Sequence, residues 1–199
     1  MKNLILVIGY DSPGKHDARR QVIGFLFLLL LVFILAVVAR ASTADAGRHA
    51  PLPSVDFGWT QPREVYAEKI DRFLTWWFAE VDQRKLKRAR ALVPTLLDAT
   101  EEHGVNPSLV AAMVSLESSW QPAAMGKLGE RGLLQVMRSD APLDDPRKQL
   151  DHGLTILKKS YAECGTVVGA ISKYATGKSC REYRGARLRL RMAAKIEGM

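Results

Sequence analysis

Glu117 is the residue of this chain whose setting best suits proton transfer. It stands near the end of the segment PSLVAAMVSLESSW, which starts at Pro107 and reads as a helix, with Asn106 as its N-cap and Pro107 in the first helical position. The last turn of a helix presents unpaired carbonyls that carry partial negative charge, and the neighbours Val114, Leu116 and Trp120 are apolar. Both effects disfavour the carboxylate and favour the protonated form that a general acid needs near neutral pH. Position alone favours a solvent-exposed helix-end glutamate. A partner carboxylate would serve as base or nucleophile, and the nearest candidate is Glu130, in the Gly-rich stretch from Gly126 to Gly132. Arg131 follows it directly, so the two also read as a surface ion pair. Asp140, Asp144 and Asp145 lie further on, and none stands out.

The elements that must hold these groups are helical. Tyr66, Ile70, Phe73, Leu74, Trp77 and Val81 recur at spacings of three and four, which predicts a helix running up to the basic stretch Arg84 to Arg90. That stretch reads as a solvated helix end. Pro94 is predicted to start a second helix through Leu96, Leu97 and Thr100, ended by Gly104. After the Gly-rich loop, Leu150, Leu154, Leu157 and Tyr161 form one face of a helix beginning near Pro146. A shorter helix carries Val167, Val168, Ile171 and Tyr174, and a basic tail helix runs from about Tyr183 to Ile196. Strand signals are nearly absent, so the fold class is all-α, from roughly residue 64 onward. Trp59, Trp76, Trp77 and Trp120 could stack on a ligand; Trp77 reads as core.

Charge and hydropathy divide the chain further. It has 199 residues, 47% apolar and 25% charged, with a formal net charge of +8. Residues 1–49 carry six Lys/Arg against three Asp/Glu, residues 50–180 seventeen against sixteen, and residues 181–199 six against two. The excess sits at the ends, so the near-neutral middle argues against nucleic acid as partner. Val22 to Ala39 contains no charged or polar side chain and would reach about 27 Å as a helix, enough to span a bilayer. The chain therefore reads as a basic cytoplasmic N-terminus over 1–20, a transmembrane or signal-anchor helix over 21–39, a linker over 40–63, a folded domain over 64–180 and a basic C-terminal helix over 181–199. Arg19 and Arg20 keep the N-terminus inside, which places the remainder beyond the inner membrane. Retention as an anchor is favoured; cleavage after Ala41, at a small-x-small site, is the alternative. The C-terminal helix, with Arg184, Arg187, Arg189, Arg191 and Lys195 among Leu188, Leu190, Met192 and Ile196, suits an anionic surface or packing on the domain equally.

Cys164 and Cys180 both fall in the exported part, where oxidising conditions permit a disulfide contributing about 3 kcal/mol in the chain-entropy account; two free thiols are the alternative. With only these cysteines, and His103 and His152 far apart, no metal-site spacing appears and neither metal nor cofactor is expected.

Four ordered motifs carry a resemblance. His103-Gly104-Val105-Asn106-Pro107, then Leu116-Glu117-Ser118-Ser119-Trp120, then Gly129-Glu130-Arg131-Gly132-Leu133-Leu134-Gln135-Val136-Met137, then Tyr174-Ala175-Thr176-Gly177 resemble the catalytic domain of the soluble lytic transglycosylase family. Asp145-Pro146 with Gly153 and Leu157 fits the helix between the last two, and the likeness covers about residues 92–180. It implies a lysozyme-like fold shared with goose-type lysozymes, and peptidoglycan glycan strands as substrate. It further implies cleavage of the β-1,4 bond between N-acetylmuramic acid and N-acetylglucosamine, with Glu117 acting as acid and then as base on the sugar's own C6 hydroxyl. A tethered nucleophile makes a second carboxylate unnecessary. By the same likeness Gln135 and Met137 line the glycan cleft, the Tyr174 hydroxyl lies near Glu117, and Ser118 belongs to the Glu-Ser motif.

Departures from the pattern are Ala175 and Gln149 where asparagine is usual, Leu134 for methionine and Arg138 for proline. If Glu130 positioned a water, the enzyme would be a hydrolysing muramidase; if turnover were lost, the domain would be a wall-binding or assembly module. The uses implied are wall remodelling, passage of an envelope-spanning machine, or local wall opening by a phage.

Overall fold

The computed structural model describes residues 52–78, 82–137 and 143–199. The expected cytoplasmic segment, the membrane-spanning helix, the cleavage site after Ala41 and the first part of the linker lie outside the described residues. No helix among the described residues is long and apolar enough to cross a membrane.

Six helices make up the described domain: α1 (Arg63–Phe78), α2 (Gln83–His103), α3 (Pro107–Glu117), α4 (Pro146–Cys164), α5 (Val167–Thr176) and α6 (Arg184–Glu197). A two-stranded antiparallel hairpin interrupts the loop between α3 and α4. Its strands β1 (Glu130–Arg131) and β2 (Val136–Met137) pair Glu130 with Met137 and Arg131 with Val136.

α3 is the axis of the fold. Every residue from Pro107 to Ser115 is buried, which a helix with no polar face requires. Asn106 caps it as its sequence position predicts, its side-chain oxygen accepting from the Ser108 and Leu109 amides at 2.8 and 3.2 Å. Gly104 ends α2 in the left-handed conformation, with φ of 63°.

The first half of the helical domain differs from expectation. Instead of a helix starting at Pro94, α2 begins at Gln83 and runs unbroken through the basic stretch and Pro94. Asp82 caps α2, accepting from the Arg84 and Lys85 amides. Leu86, Ala89, Val93, Leu96, Leu97 and Thr100 keep one face buried past Pro94. Pro94 itself is exposed, and the continuous buried face carries the helix past the bond that proline cannot make. The basic run is partly used: Arg90 pairs with Asp71, and Arg88 donates to the Trp120 carbonyl at 2.9 Å.

The described end of the linker is docked rather than free. Phe57 stacks on Tyr161 with ring centres 3.8 Å apart, and its carbonyl accepts from the Asn106 amide. α6 is equally integral. Ala186, Leu190, Ala193 and Ile196 are buried, and α6 packs chiefly along α3. The apolar side that a surface-seeking helix would press into lipid is therefore turned into the domain. Three of its cations are also engaged there: Arg187 pairs with Glu182, Lys195 lies 3.5 Å over the Trp76 ring, and Arg189 reaches the C-terminal end of α3. Cys164 and Cys180 form a disulfide, tying the end of α4 to the chain after α5.

Candidate active site

Glu117 is the last residue of α3, and immediately after it the chain folds back sharply. Ser119 and Trp120 have φ of 50° and 60°, a left-handed conformation that costs a non-glycine residue free energy and is held here by the packing of the Trp120 ring. That ring is fully buried, and its indole N–H donates to the Ser115 hydroxyl at 2.8 Å. Trp120 is thus an anchor for the turn and is unavailable for stacking on a sugar. Ser118 is not brought to the cleft: its hydroxyl donates to the Val114 carbonyl at 3.2 Å, which helps close the last turn of α3.

The turn delivers Glu117 to a cleft of about 520 Å³, which Glu130, Gln135, Met137 and Tyr174 also line. Four of the expected site residues therefore share one cavity with the acid.

Glu130 is placed there with its carboxylate folded onto its own loop. Its Oε2 accepts from the Leu128 amide at 3.0 Å and lies where a Cβ on Gly126 would be, 2.1 Å away. Gln135 has φ of 48° and turns its amide inward, donating to the carbonyls of Gly132 and Ala124 at 2.8 and 3.2 Å. It shapes the cleft by bracing the hairpin. Gln149, a departure from the family pattern, has a local reason: its Oε1 accepts from the Leu133 amide at 2.9 Å and packs against Gly132, whose φ is 78°. Met137, on β2, is half-exposed at the cleft edge.

Tyr174, on α5, donates its hydroxyl to the Leu134 carbonyl at 2.7 Å. Burial pushes its pKa far above the ordinary tyrosine value, the negative charge of Glu117 adds to the rise, and Arg189 opposes it. The phenol is therefore a neutral hydrogen-bond donor throughout the physiological range. Ala175, exposed beside it, lines the same cleft.

Sequence reasoning missed two residues. Arg189, on α6, donates from Nε to Glu117 Oε1 at 3.1 Å and also bonds that oxygen from Nη2. Tyr183, the N-cap residue of α6, accepts from Arg189 Nη1 at 2.7 Å, and burial raises its pKa. The expectation of an acid among apolar groups at a helix end thus lacked a cation that the fold supplies. A signal for it exists in the helical spacing: Ala186, Leu190, Ala193 and Ile196 define the buried line of α6, and Arg189 lies on that line, unlike Arg187.

A mostly helical domain with a glutamate at the end of its buried central helix, facing a cleft roofed by a short hairpin, is of the lysozyme-like class. Residues 95–187 match the family described as the transglycosylase SLT domain. Over 95 residues the chain is 33% identical to a membrane-bound lytic murein transglycosylase C of Pectobacterium atrosepticum, covering 38% of this chain and 27% of that protein. A Yersinia enterocolitica protein of the same name is 30% identical over 125 residues, covering 52% of this chain and 34% of the relative. An endo-type membrane-bound lytic murein transglycosylase A of Citrobacter koseri is 37% identical over 68 residues, covering 34% and 32%. The chain thus spans about a quarter to a third of the length of these relatives.

Proposed function

We propose that the protein is a peptidoglycan lytic transglycosylase with Glu117 as its acid and base. The observation that carries this is the placement of Glu117 in a cleft whose other candidate carboxylate, Glu130, is bonded to its own loop.

In the first step Glu117 donates its proton to the oxygen between N-acetylmuramic acid and N-acetylglucosamine. The C1–O bond breaks, the N-acetylglucosamine side leaves with its hydroxyl, and positive charge develops at C1 of the muramic acid. In the second step the C6 hydroxyl of the same sugar forms a bond to C1, and its proton returns to Glu117. The product is a 1,6-anhydro ring, and water is neither consumed nor released. An intramolecular hydroxyl acts at high effective molarity, which removes the need for a second carboxylate to activate water. Gln135 and Tyr174 contribute by holding the hairpin and the Leu134 backbone that wall the cleft. Met137 offers an apolar edge to a sugar ring, and Ser118 acts by securing the last turn of α3.

The proposal includes attachment to the inner membrane through residues 21–39 with the domain in the periplasm, where the wall lies. The wording of the relatives' names, membrane-bound lytic murein transglycosylase, agrees with that placement. Local wall opening for an envelope-spanning machine, or for a phage, fits a small anchored domain of this kind.

Digestion of purified peptidoglycan with the full-length protein, followed by mass spectrometry, tests the reading. Anhydro-muropeptides that vanish with Glu117→Gln are the expected result. Reducing-end products would replace it with a hydrolysing muramidase, and an absence of products with a wall-binding module.

A further inference from the structure

Arg189 lies beyond the stretch matched by the family, yet it holds the acid. Its guanidinium donates to Glu117 Oε1 from two nitrogens, Nε at 3.1 Å and Nη2. The third nitrogen, Nη1, is fixed by the Tyr183 hydroxyl at 2.7 Å and the Gly185 carbonyl at 2.9 Å. A planar fork bonded on both sides has little freedom to rotate, so it sets the direction of the carboxyl that it grips. The pair is well covered, with side-chain exposures of 13% for Arg189 and 17% for Glu117.

Docking of α6 does not call for such a residue. Ala186, Leu190, Ala193 and Ile196 already bury that face, and Glu197 secures the far end by accepting from Asn106 and Gln61. A guanidinium on the core-facing line costs desolvation that a neutral side chain would avoid. Its position on the acid supplies the reason for keeping it.

We propose that Arg189 is a positioning residue for Glu117, anchoring Oε1 so that the proton is exchanged at Oε2. The inference rests on the transglycosylase reading, in which Glu117 loses a proton in the first step and regains one in the second. A fixed cation beside it offsets the carbonyl ends of α3 while the carboxylate exists, and an anchored oxygen keeps the other aimed at two successive partners, the glycosidic oxygen and the C6 hydroxyl. Both donors of the fork fall on Oε1, so the guanidinium leaves Oε2 to the reaction.

The experiment compares full-length native protein with Arg189→Gln and Arg189→Lys, using defined glycan-strand fragments, with rates normalised to folded enzyme. For Arg189→Gln, kcat falls by up to about a hundredfold, the scale of a misplaced catalytic group, while KM changes little. The alkaline limb of its kcat–pH profile moves to higher pH, and the position of that limb does not depend on how much enzyme is folded. Arg189→Lys, which keeps the charge, recovers part of kcat and returns the limb toward the native position. An unchanged or raised kcat in Arg189→Gln overturns the proposal, as does a lysine variant no better than glutamine. A native protein without turnover would bring down the functional reading instead. The ¹³C carboxyl resonance of Glu117 then decides: superimposable titration curves in native and Arg189→Gln protein overturn the anchor, and displaced curves support it.

Discussion

The two ends of α3 are built from the same materials and put to different uses. α6 runs beside α3 and touches both ends with charged side chains. At the N-terminal end, Glu197 accepts from Asn106 Nδ2 at 3.2 Å and from Gln61 at 2.8 Å, with the Lys69 ammonium 3.7 Å away. At the C-terminal end, Arg189 grips Glu117. An anion meets the end where amides point outward and a cation meets the end where carbonyls do, so both contacts complement the helix dipole. The difference is the cleft. Asn106 is buried beside Tyr66 and the docked chain at Phe57 and Thr60, while its partner Glu197 keeps 22% of its side chain exposed. Around Glu117 the wall opens into the cleft. One pairing is set among packed chain segments, and the other lines the cleft.

Changes at the two ends should therefore separate activity from stability. The largest effect is expected from Glu117→Gln, which removes the proposed acid and should lower turnover on peptidoglycan by about 10²–10⁴-fold with little change in melting temperature. A variant that stayed active would dissolve the contrast, since both ends would then be structural. Next comes Leu190→Ala, in the stretch of α6 between the two contacts. Its side chain is buried, and truncation should cost about 2–5 kcal/mol in denaturant unfolding while disturbing both ends together. Asn106→Ala should be smaller, about 1–2 kcal/mol, because it loses a cap and strands part of the Glu197 network. Turnover per folded molecule should survive it, which sharpens the contrast with Glu117.

The smallest effect lies at two helix caps and one ion pair near the surface. Amides of Lys85 and Lys148 hold the carboxylates of Asp82 and Asp145 below the usual aspartate range, and Lys173 does the same for Glu163 below the glutamate range. A carboxylate whose folded pKa is depressed adds stability above its unfolded pKa, near 4, and loses it as pH falls through the lower folded value. Melting temperature followed downward from pH 5 should drop, and Asp145→Asn should flatten that drop. An unchanged slope would show that the cap at α4 contributes nothing measurable.

Much of this frame is legible in the residues. Asn106-Pro107 and Asp145-Pro146 announce the starts of α3 and α4 because capping is a local interaction, satisfied by side chains two or three positions away. The Leu150, Leu154, Leu157 face is legible for the same reason: period alone defines it. Pro94 misleads because the rule that a proline starts a helix yields when the proline is exposed and the buried face is continuous. Ser118 and Trp120 sit in a motif that suggests ligand contact, yet their hydrogen bonds are spent on α3. Arg189 could be found only by asking which charged residue falls on an apolar line, and its partner, 72 positions earlier, is set by tertiary packing. Gln149 has the same character, since its role depends on the loop amide that it meets.

The Cys164–Cys180 bond also bears on how the domain assembles. Once formed, it closes a ring spanning a sequence separation of 16 that contains all of α5 and Tyr174. The unfolded chain is then a loop with two arms, and the meeting of α4 with α5 becomes a short-range event whose closure entropy has already been met. The long-range meetings, of α2 with α4 and of α6 with α3, lie outside that ring, and the pairing of Arg189 with Glu117 is completed only when α6 finds α3.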